Sequence, residues 1–490
     1  MTFTVLAARI WWLSEILPGM DYPQFLVFVR AVHDLHDTAS PFHGTYMTAP
    51  WYTPTSLPIH LTSVLSYITG GSIEAAGKLL LTLRDVGLAA AGIYLLKTLG
   101  RPRWAIALLF ALIHSPWEVV GGFAAYATAM PLLVLGWALS VRWLERLDAR
   151  RAIALAACLC ATLLWHGIAF GELGLSFAVF WALWRAPSWR ARFVSALPTL
   201  PALLLFAAWQ LNSFKGRSSP PSVWVPPWDA ADSIVGLILP AGPHVDARAF
   251  CLVVVIGAGL VAGTATFGAT AANATMWRIR NPFLALSLVL LAAYLVLPNE
   301  QGGVAGVSNR FAYPAALAFV FAWNLPLAVT PRVGVVAAVL GYSAFCLNDI
   351  ASRFRAFEVE TRGASQLIDR LGLHDTLYYW AENRGDSPVF ESPNKATLEL
   401  EQFAAARRGG LPNTSFAGYN NIVYVRFVNQ HSPMPGLSGP PSWSASMTSF
   451  DYVLVRGEHV LSDARFKRVE GTEGWELYGV CGSHRFPACG

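Results

Sequence analysis

The sequence has little charge. Only 13% of its 490 residues are Asp, Glu, Lys or Arg, against roughly 25% in soluble domains. Hydrophobic residues make up 54%, and the mean hydropathy is +0.44. A soluble chain this apolar could not cover its own surface, so an ordinary soluble enzyme is excluded and a polytopic membrane protein remains. The net charge of +5 makes no case for nucleic acid, and no nucleic-acid partner is expected; it fits basic cytoplasmic loops. Cysteine is scarce, with 6 in the chain. No Cys-x-x-Cys and no Cys/His zinc spacing occurs, which leaves no zinc site. The apolar start has no basic stretch before it and no small-residue cleavage site, so a cleaved secretory signal is not expected. No internal repeat stands out. Paired Gly/Pro-broken spans in the two halves, which mark many secondary transporters, are missing too.

What is there is a series of apolar windows. Read at about 20 residues per span, they give about eleven candidates: 1–17, 74–96, 104–118, 121–141, 152–170, 172–184, 193–211, 250–268, 282–298, 312–329 and 333–350. Basic residues follow every second one: Lys97, Arg101 and Arg103; Arg142, Arg146, Arg150 and Arg151; Arg185, Arg190 and Arg192; Arg278 and Arg280; Arg332. By the positive-inside rule these loops are cytoplasmic. Loops 18–73, 212–249 and 299–311 are then outside, and an odd span count puts the C-terminal segment outside as well. The 19 Trp mark interfacial belts.

From 351 to 490 the character changes. Phe357–Leu371 and Ala396–Ala406 read as helices. Asp375–Trp380, Asn421–Phe427, Phe450–Val455 and Trp475–Val480 read as strands. The expected organisation is a membrane domain over 1–350 and a small α/β domain over 351–490. Cys158, Cys160, Cys251 and Cys346 fall in predicted spans and serve as small hydrophobes. Cys481 and Cys489 either pair in an oxidising compartment or remain two free thiols.

Chemistry-bearing residues collect on the outer side. Loop 18–73 holds Asp21, His33, Asp34, His36, Asp37, His43 and His60. Asp21 stands at the exit of the first apolar stretch, between Gly19 and Pro23. It is either a carboxylate placed for acid–base work on a lipid-borne substrate, or the N-cap of the helix opened by Pro23. A helical pattern from Tyr22 would put His33 and Asp37, four apart, on one face. That spacing suits a divalent metal ion, the one cofactor to consider; it equally suits the wet face of an interfacial helix. Charges at bilayer depth are costly and often functional. Lys78, Arg84 and Asp85 lie in the second span; the last two, being adjacent, are expected to point apart and find partners on other helices. Glu118 and Glu172 lie at outer span ends, near His114 and His166, where either solvation or function explains them. Arg310, opening a late span, can hold a phosphate in a bidentate contact or snorkel to the interface.

Several segments carry a family resemblance: the acid-bearing first loop, Ala75-Ala76-Gly77-Lys78-Leu79, and Leu95-Leu96-Lys97-Thr98-Leu99-Gly100 with Trp104. Further along come Gly121-Gly122-Phe123-Ala124-Ala125-Tyr126 leading into Met130-Pro131-Leu132, then Asn309-Arg310-Phe311, and in the tail Phe450-Asp451-Tyr452 and Trp475-Glu476-Leu477-Tyr478. The chain resembles the bacterial integral membrane glycosyltransferases of the GT-C superfamily that carry an extracytoplasmic tail domain. The resemblance implies an α-helical polytopic fold in the bacterial inner membrane. It also implies a polyprenyl-phosphate sugar donor, inverting transfer on the outer face, and an acid in the first outer loop as base, here Asp21. Arg310 is the first choice to meet the leaving phosphate, with Lys215 and Arg217 as others. Tyr22, Glu118, Glu172 and His60 complete the residues expected to meet substrate, and membrane lipids are the remaining partners. The alternative is a non-catalytic scaffold or carrier in cell-envelope glycan assembly.

Overall fold

A computed structural model describes residues 2–19, 21–101, 106, 109, 123–213, 222–227, 229, 276–279, 281–301, 304–322, 329–381, 387, 389–390, 399–413, 417, 424–429, 432, 434–435, 440–442, 444–457, 461–472 and 474–487. In chain order the helices are α1 (Thr2–Arg9), α2 (Tyr22–His33), α3 (Ser56–Ile68), α4 (Ile73–Thr98), α5 (Met130–Glu145), α6 (Ala149–Trp165), α7 (Gly167–Leu183), α8 (Trp189–Ala196), α9 (Leu200–Ser213), α10 (Pro282–Val296), α11 (Ala312–Ala322), α12 (Val329–Ile368) and α13 (Leu400–Arg408). The strands are β1 (Tyr46–Thr48), β2 (Glu300–Gln301), β3 (Val304–Ala305), β4 (Leu377–Ala381), β5 (Val425–Phe427), β6 (Tyr452–Arg456), β7 (Phe466–Thr472) and β8 (Trp475–Val480). Two compact units form: Met1–Ala8, Leu83–Glu118 and Tyr126–Asp349 in one, Arg9–Thr82, Val119–Ala125 and Ile350–Gly490 in the other.

The first unit is a helical bundle. Among the described residues, Ile73–Thr98, Ala124–Glu145 and Trp189–Asn212 are long and apolar enough to cross a membrane, and Gly167–Leu183 and Pro282–Val296 are shorter apolar helices. All five fall on predicted spans. Predicted spans 250–268 and, but for two positions, 104–118 lie outside the described residues. The break between α6 and α7 falls at His166, earlier than the hydropathy profile places it. His166 is extended (φ −162°, ψ 126°) and ends one helix while starting the next. No polar run or proline marks that turn, so hydropathy passes over it.

The basic loops meet at one end of this bundle. Arg185 N–H donates to the Met276 carbonyl at 2.9 Å and Arg278 N–H to the Leu183 carbonyl at 2.7 Å. Arg192 reaches the Trp184 carbonyl at 2.6 Å. Arg142, at the end of α5, bonds the Tyr94 hydroxyl near the end of α4. Their gathering is what a one-sided Lys/Arg distribution requires.

The predicted first span, 1–17, is not one helix. Regular α-structure ends at Arg9, followed by a 3-10 turn over Ile10–Trp12. Beyond it the backbone bonds elsewhere: Glu15 N–H donates to Glu358 Oε2 at 2.6 Å, and Ser14 Oγ donates to the Ile16 carbonyl at 2.6 Å. Conversely, α12 runs unbroken over 40 residues. The sequence suggests a span over 333–350 and a separate helix from Phe357. Yet Ile350 to Phe357 contains no Gly or Pro to stop a helix; the change there is of polarity alone.

The second unit is built around a four-stranded sheet of order β4-β6-β8-β7. β4 lies parallel to β6, with α13 in the connection, and the other neighbours are antiparallel. A parallel pair needs such a crossover. Tyr378, Phe450, Val453, Val455, Tyr478 and Val480 form its core. The sequence reading misses β7, whose Lys467, Arg468 and Glu470 hide any alternation. As an edge strand it keeps those charges, which block further strand addition, and Arg468 pairs with Glu476 across to β8 at 2.8 Å. A separate antiparallel pair joins β1 to β5, so the predicted outer loop 18–73 shares a unit with the tail. Helix α2 packs so closely on α4 that a Cβ at Gly77 would overlap the Tyr22 hydroxyl and Leu26. Cys481 is disulfide-bonded, while its predicted partner Cys489 lies outside the described residues.

One guanidinium ties this unit together. Arg407 of α13 bonds both oxygens of Glu74 at 2.8 Å, Asp369 at 3.1 Å, Glu15 at 3.1 Å and Ser365 Oγ at 2.9 Å. Its side chain is only 13% exposed. Removing one partner of a buried charge group leaves the others uncompensated. Arg407→Ala is therefore expected to cost about 3 kcal/mol, read as a fall in the thermal midpoint of the detergent-solubilised protein. An unchanged midpoint would show the cluster to be a solvated surface network.

Candidate functional site

Two clusters of polar side chains stand out, one in each unit. In the second unit Asp21 precedes α2 with φ −95° and ψ −12°, and its side chain makes no capping hydrogen bond. Its carbonyl alone starts the helix, accepting from Phe25 N–H at 3.0 Å. The N-cap reading of Asp21 is thus set aside, because the carboxylate is not spent on the helix. Helix α13 packs on α2 and brings Glu399 and Glu401. Burial, and then the charges of Glu401 and Asp21, push the Glu399 carboxyl well above its ordinary range, so a protonated Glu399 is the state these neighbours favour.

Tyr22 is held in packing. It is 3% exposed, its ring centroid lies 6.2 Å from that of Phe403, and its hydroxyl finds no hydrogen-bond partner among the described residues. Burial and the charge of Glu74 raise its pKa. His60 sits on α3 with Nε2 2.7 Å from the Tyr424 hydroxyl, and partial burial keeps its pKa below the usual value. The His33/Asp37 pairing fails on helix length. Helix α2 ends at His33, so four-residue spacing no longer aligns the two. His33 Nδ1 meets Asp34 Oδ1 at 2.9 Å, whereas Asp37 accepts from Ala39 N–H at 2.9 Å. Among the described residues no group of three or more His, Cys, Asp or Glu could hold a metal ion.

In the first unit Tyr126 joins two of the predicted residues. Its hydroxyl lies 2.9 Å from Glu172 Oε1 and 2.6 Å from the Arg310 carbonyl oxygen. The Arg310 guanidinium sits 5.7 Å from the centre of its ring, within cation–π range. The His166 ring meets the same tyrosine edge-on at 5.2 Å. Arg310 opens α11 from a 3-10 turn, Ser308–Phe311, and is 5% exposed; Glu172 is fully buried. Because α5 and α7 run from this cluster to the basic loops, it lies at the opposite end of the bundle. Nearby in sequence, Tyr313 is 3.5 Å from Arg84 Nη2. Arg84 and Asp85, expected to diverge, pair with each other at 2.9 Å; a long Arg side chain can fold back on its neighbour. Glu118, Lys215 and Arg217 lie outside the described residues.

Sequence reasoning did not single out Tyr126, Glu399 or Glu401. Tyr126 belongs to the segment Gly121–Tyr126 that carries the family resemblance, which was the available signal. Glu399 and Glu401 had none, since only the fold brings α13 to α2. Tyr126→Phe keeps the ring under Arg310 and removes both hydroxyl contacts. It is expected to lower stability by about 2 kcal/mol, measured by thermal unfolding in detergent; no change would mean that the hydroxyl is dispensable.

No family model matches the sequence, and no curated protein does. Solved structures do. ArnT from Cupriavidus metallidurans bound to undecaprenyl phosphate aligns over 97% of this chain and 97% of that chain, at 13% identity and a TM-score of 0.54. The chain has the GT-C fold. The apo state of the same ArnT aligns over the same shares at 13% identity and a TM-score of 0.52. The arabinofuranosyltransferase AftD from mycobacteria aligns with 98% of this chain and 39% of that one, at 14% identity and a TM-score of 0.50. The shared fold therefore extends over the helical bundle and the tail of this chain, and it agrees with the family resemblance read from the sequence.

Proposed function

We propose that the chain is an inverting glycosyltransferase. It moves a sugar from a polyprenyl-phosphate donor to a lipid, glycan or protein acceptor on the outer face of a bacterial cytoplasmic membrane. The observation that carries this reading is the GT-C fold, shared from end to end with a protein solved with undecaprenyl phosphate bound. About eleven spans, with the loops at Arg101, Arg146, Arg190 and Arg278 inside and the tail 351–490 outside, complete the proposed topology.

The chemistry follows from charge. Asp21 takes the proton of the acceptor hydroxyl as its oxygen attacks C1 of the sugar. The bond from C1 to the phosphate oxygen breaks, inverting the carbon and leaving a polyprenyl phosphate with added negative charge. A guanidinium prepared for that charge lowers the barrier, and Arg310 has that role. Support for it comes from the Tyr126 contacts, which fix both its backbone and its head. Support for Asp21 comes from a carboxylate that its helix does not consume. The proposed chemistry calls on no cofactor. The test is transfer from a synthetic polyprenyl-phosphate sugar to a total membrane-lipid extract, comparing wild type with Asp21→Asn; equal transfer by both would remove Asp21 as the base.

A further inference from the structure

We propose that the end of the bundle where the basic loops meet holds the headgroup of an anionic phospholipid, on Arg185, Arg278 and Arg190. Two apolar helices set the place. α7 ends at Leu183 and α10 opens at Pro282. Beside those ends Trp184 and Trp277 form an antiparallel bridge, closed on its two sides by the backbone bonds from Arg185 to Met276 and from Arg278 to Leu183. Both tryptophans are buried, at 4% and 5% exposure. Successive side chains alternate across extended backbone. Arg185 and Arg278 therefore share the opposite face, and both are exposed. A pair of guanidinium groups is thus carried on backbone anchored by packed indoles, at the level where two apolar helices stop. Ala186, Pro187 and Ser188 link the bridge to α8, which adds Arg190, its guanidinium 5.7 Å from the centre of the Trp189 ring.

The charges at this place have no counterpart in the protein. Among the described residues none of these three arginines makes an ion pair or a side-chain hydrogen bond. Arg192, in the same stretch, is the contrast: its guanidinium is spent on the Trp181 carbonyl at 3.1 Å and the Trp184 carbonyl at 2.6 Å. An unspent guanidinium at a membrane boundary matches a phosphate, whose oxygens fit its planar fork. Segments 183–196 and 276–279 contain no Asp or Glu. A zwitterionic headgroup would bring an ammonium that nothing in them can pair, whereas an anionic one brings only the phosphate charge. Trp189 and Phe193, one turn apart on α8, are 76% and 65% exposed. They offer apolar surface to acyl chains and an indole at the headgroup level, which a free phosphate ion would leave unused. Basic residues near a membrane attract anionic lipid in general; the fixed pair on the bridge makes a defined site of that attraction. It lies at the opposite end of the bundle from Tyr126 and Arg310, and the inference stands whether or not the chain transfers sugar.

The test is native mass spectrometry of the full chain in detergent, titrated with phosphatidylglycerol or with phosphatidylcholine. Wild type is expected to bind phosphatidylglycerol about tenfold more tightly. Arg185→Gln/Arg278→Gln should lose that preference and keep its thermal midpoint, because the bridge uses only the backbone of those residues. Arg185→Lys/Arg278→Lys keeps the charge without the fork and should retain part of the preference. Arg150→Gln removes another exposed charge, from a stretch that holds Glu145 and Asp148, and should leave the preference intact. Equal affinity of wild type for the two lipids, an undiminished preference in the double Gln variant, an equal loss in Arg150→Gln, or displacement of the lipid by inorganic phosphate would each overturn the proposal.

Discussion

Asp21→Asn is expected to lower sugar transfer by about 10³-fold while leaving the folded protein unchanged within about 0.5 kcal/mol. The two halves of that statement have separate grounds. The loss follows from removing a base whose proton transfer accompanies C1 attack. The unchanged fold follows from the helix start, where the Asp21 side chain makes no cap and only the backbone carbonyl is used. Asn keeps the size and the backbone. The matched control is Glu399→Gln, which neutralises the neighbouring acid that burial already favours as neutral; transfer should survive it. Loss in Glu399→Gln with full activity in Asp21→Asn would move the base from the start of α2 to the start of α13.

Arg310→Gln is the second large effect. Transfer, measured as kcat/KM for the donor, is expected to fall by about 10²- to 10³-fold, the range for removing a preorganised donor from a developing anion. Retention of polyprenyl phosphate during purification should fall with it. Arg310→Lys keeps the charge but loses the planar fork, so it should recover only part of the activity. A structural role alone predicts a different pattern: both variants would lose thermal stability alike, and the folded fraction of each would turn over normally.

The bundle was legible because its signals are strong ones. Long apolar runs give α4, α5 and α10 their places, and Arg142, Arg185, Arg192 and Arg278 mark one end of the helices. What hydropathy could not see was geometry inside an apolar run. The turn at His166 needs a single extended residue, and Glu15, beyond the end of α1, bonds through its N–H to Glu358, far along the chain. In α12 the reverse held: a shift from apolar to amphipathic residues suggested two elements where no breaker exists. Adjacent positions on a helix diverge at Cβ, and Arg84 pairs with Asp85 only because its long side chain folds back. At the candidate site, Glu172 and Arg310 were nameable from their depth and charge. The tyrosine that joins them was not, because among 15 Tyr in so aromatic a chain its one signal was its place in the segment Gly121–Tyr126. Glu399 and Glu401 became neighbours of Asp21 only through the packing of α13 on α2, a tertiary fact with no local pattern.

The central claim, that this fold handles a polyprenyl-phosphate sugar, is tested most directly by native mass spectrometry of lipids that copurify with the full-length protein. Wild type in mild detergent should carry a polyprenyl phosphate or its glycosylated form, and Arg310→Gln should carry at least tenfold less. If only bulk phospholipid is retained by both, from membranes shown to contain polyprenyl phosphate, the account is contradicted.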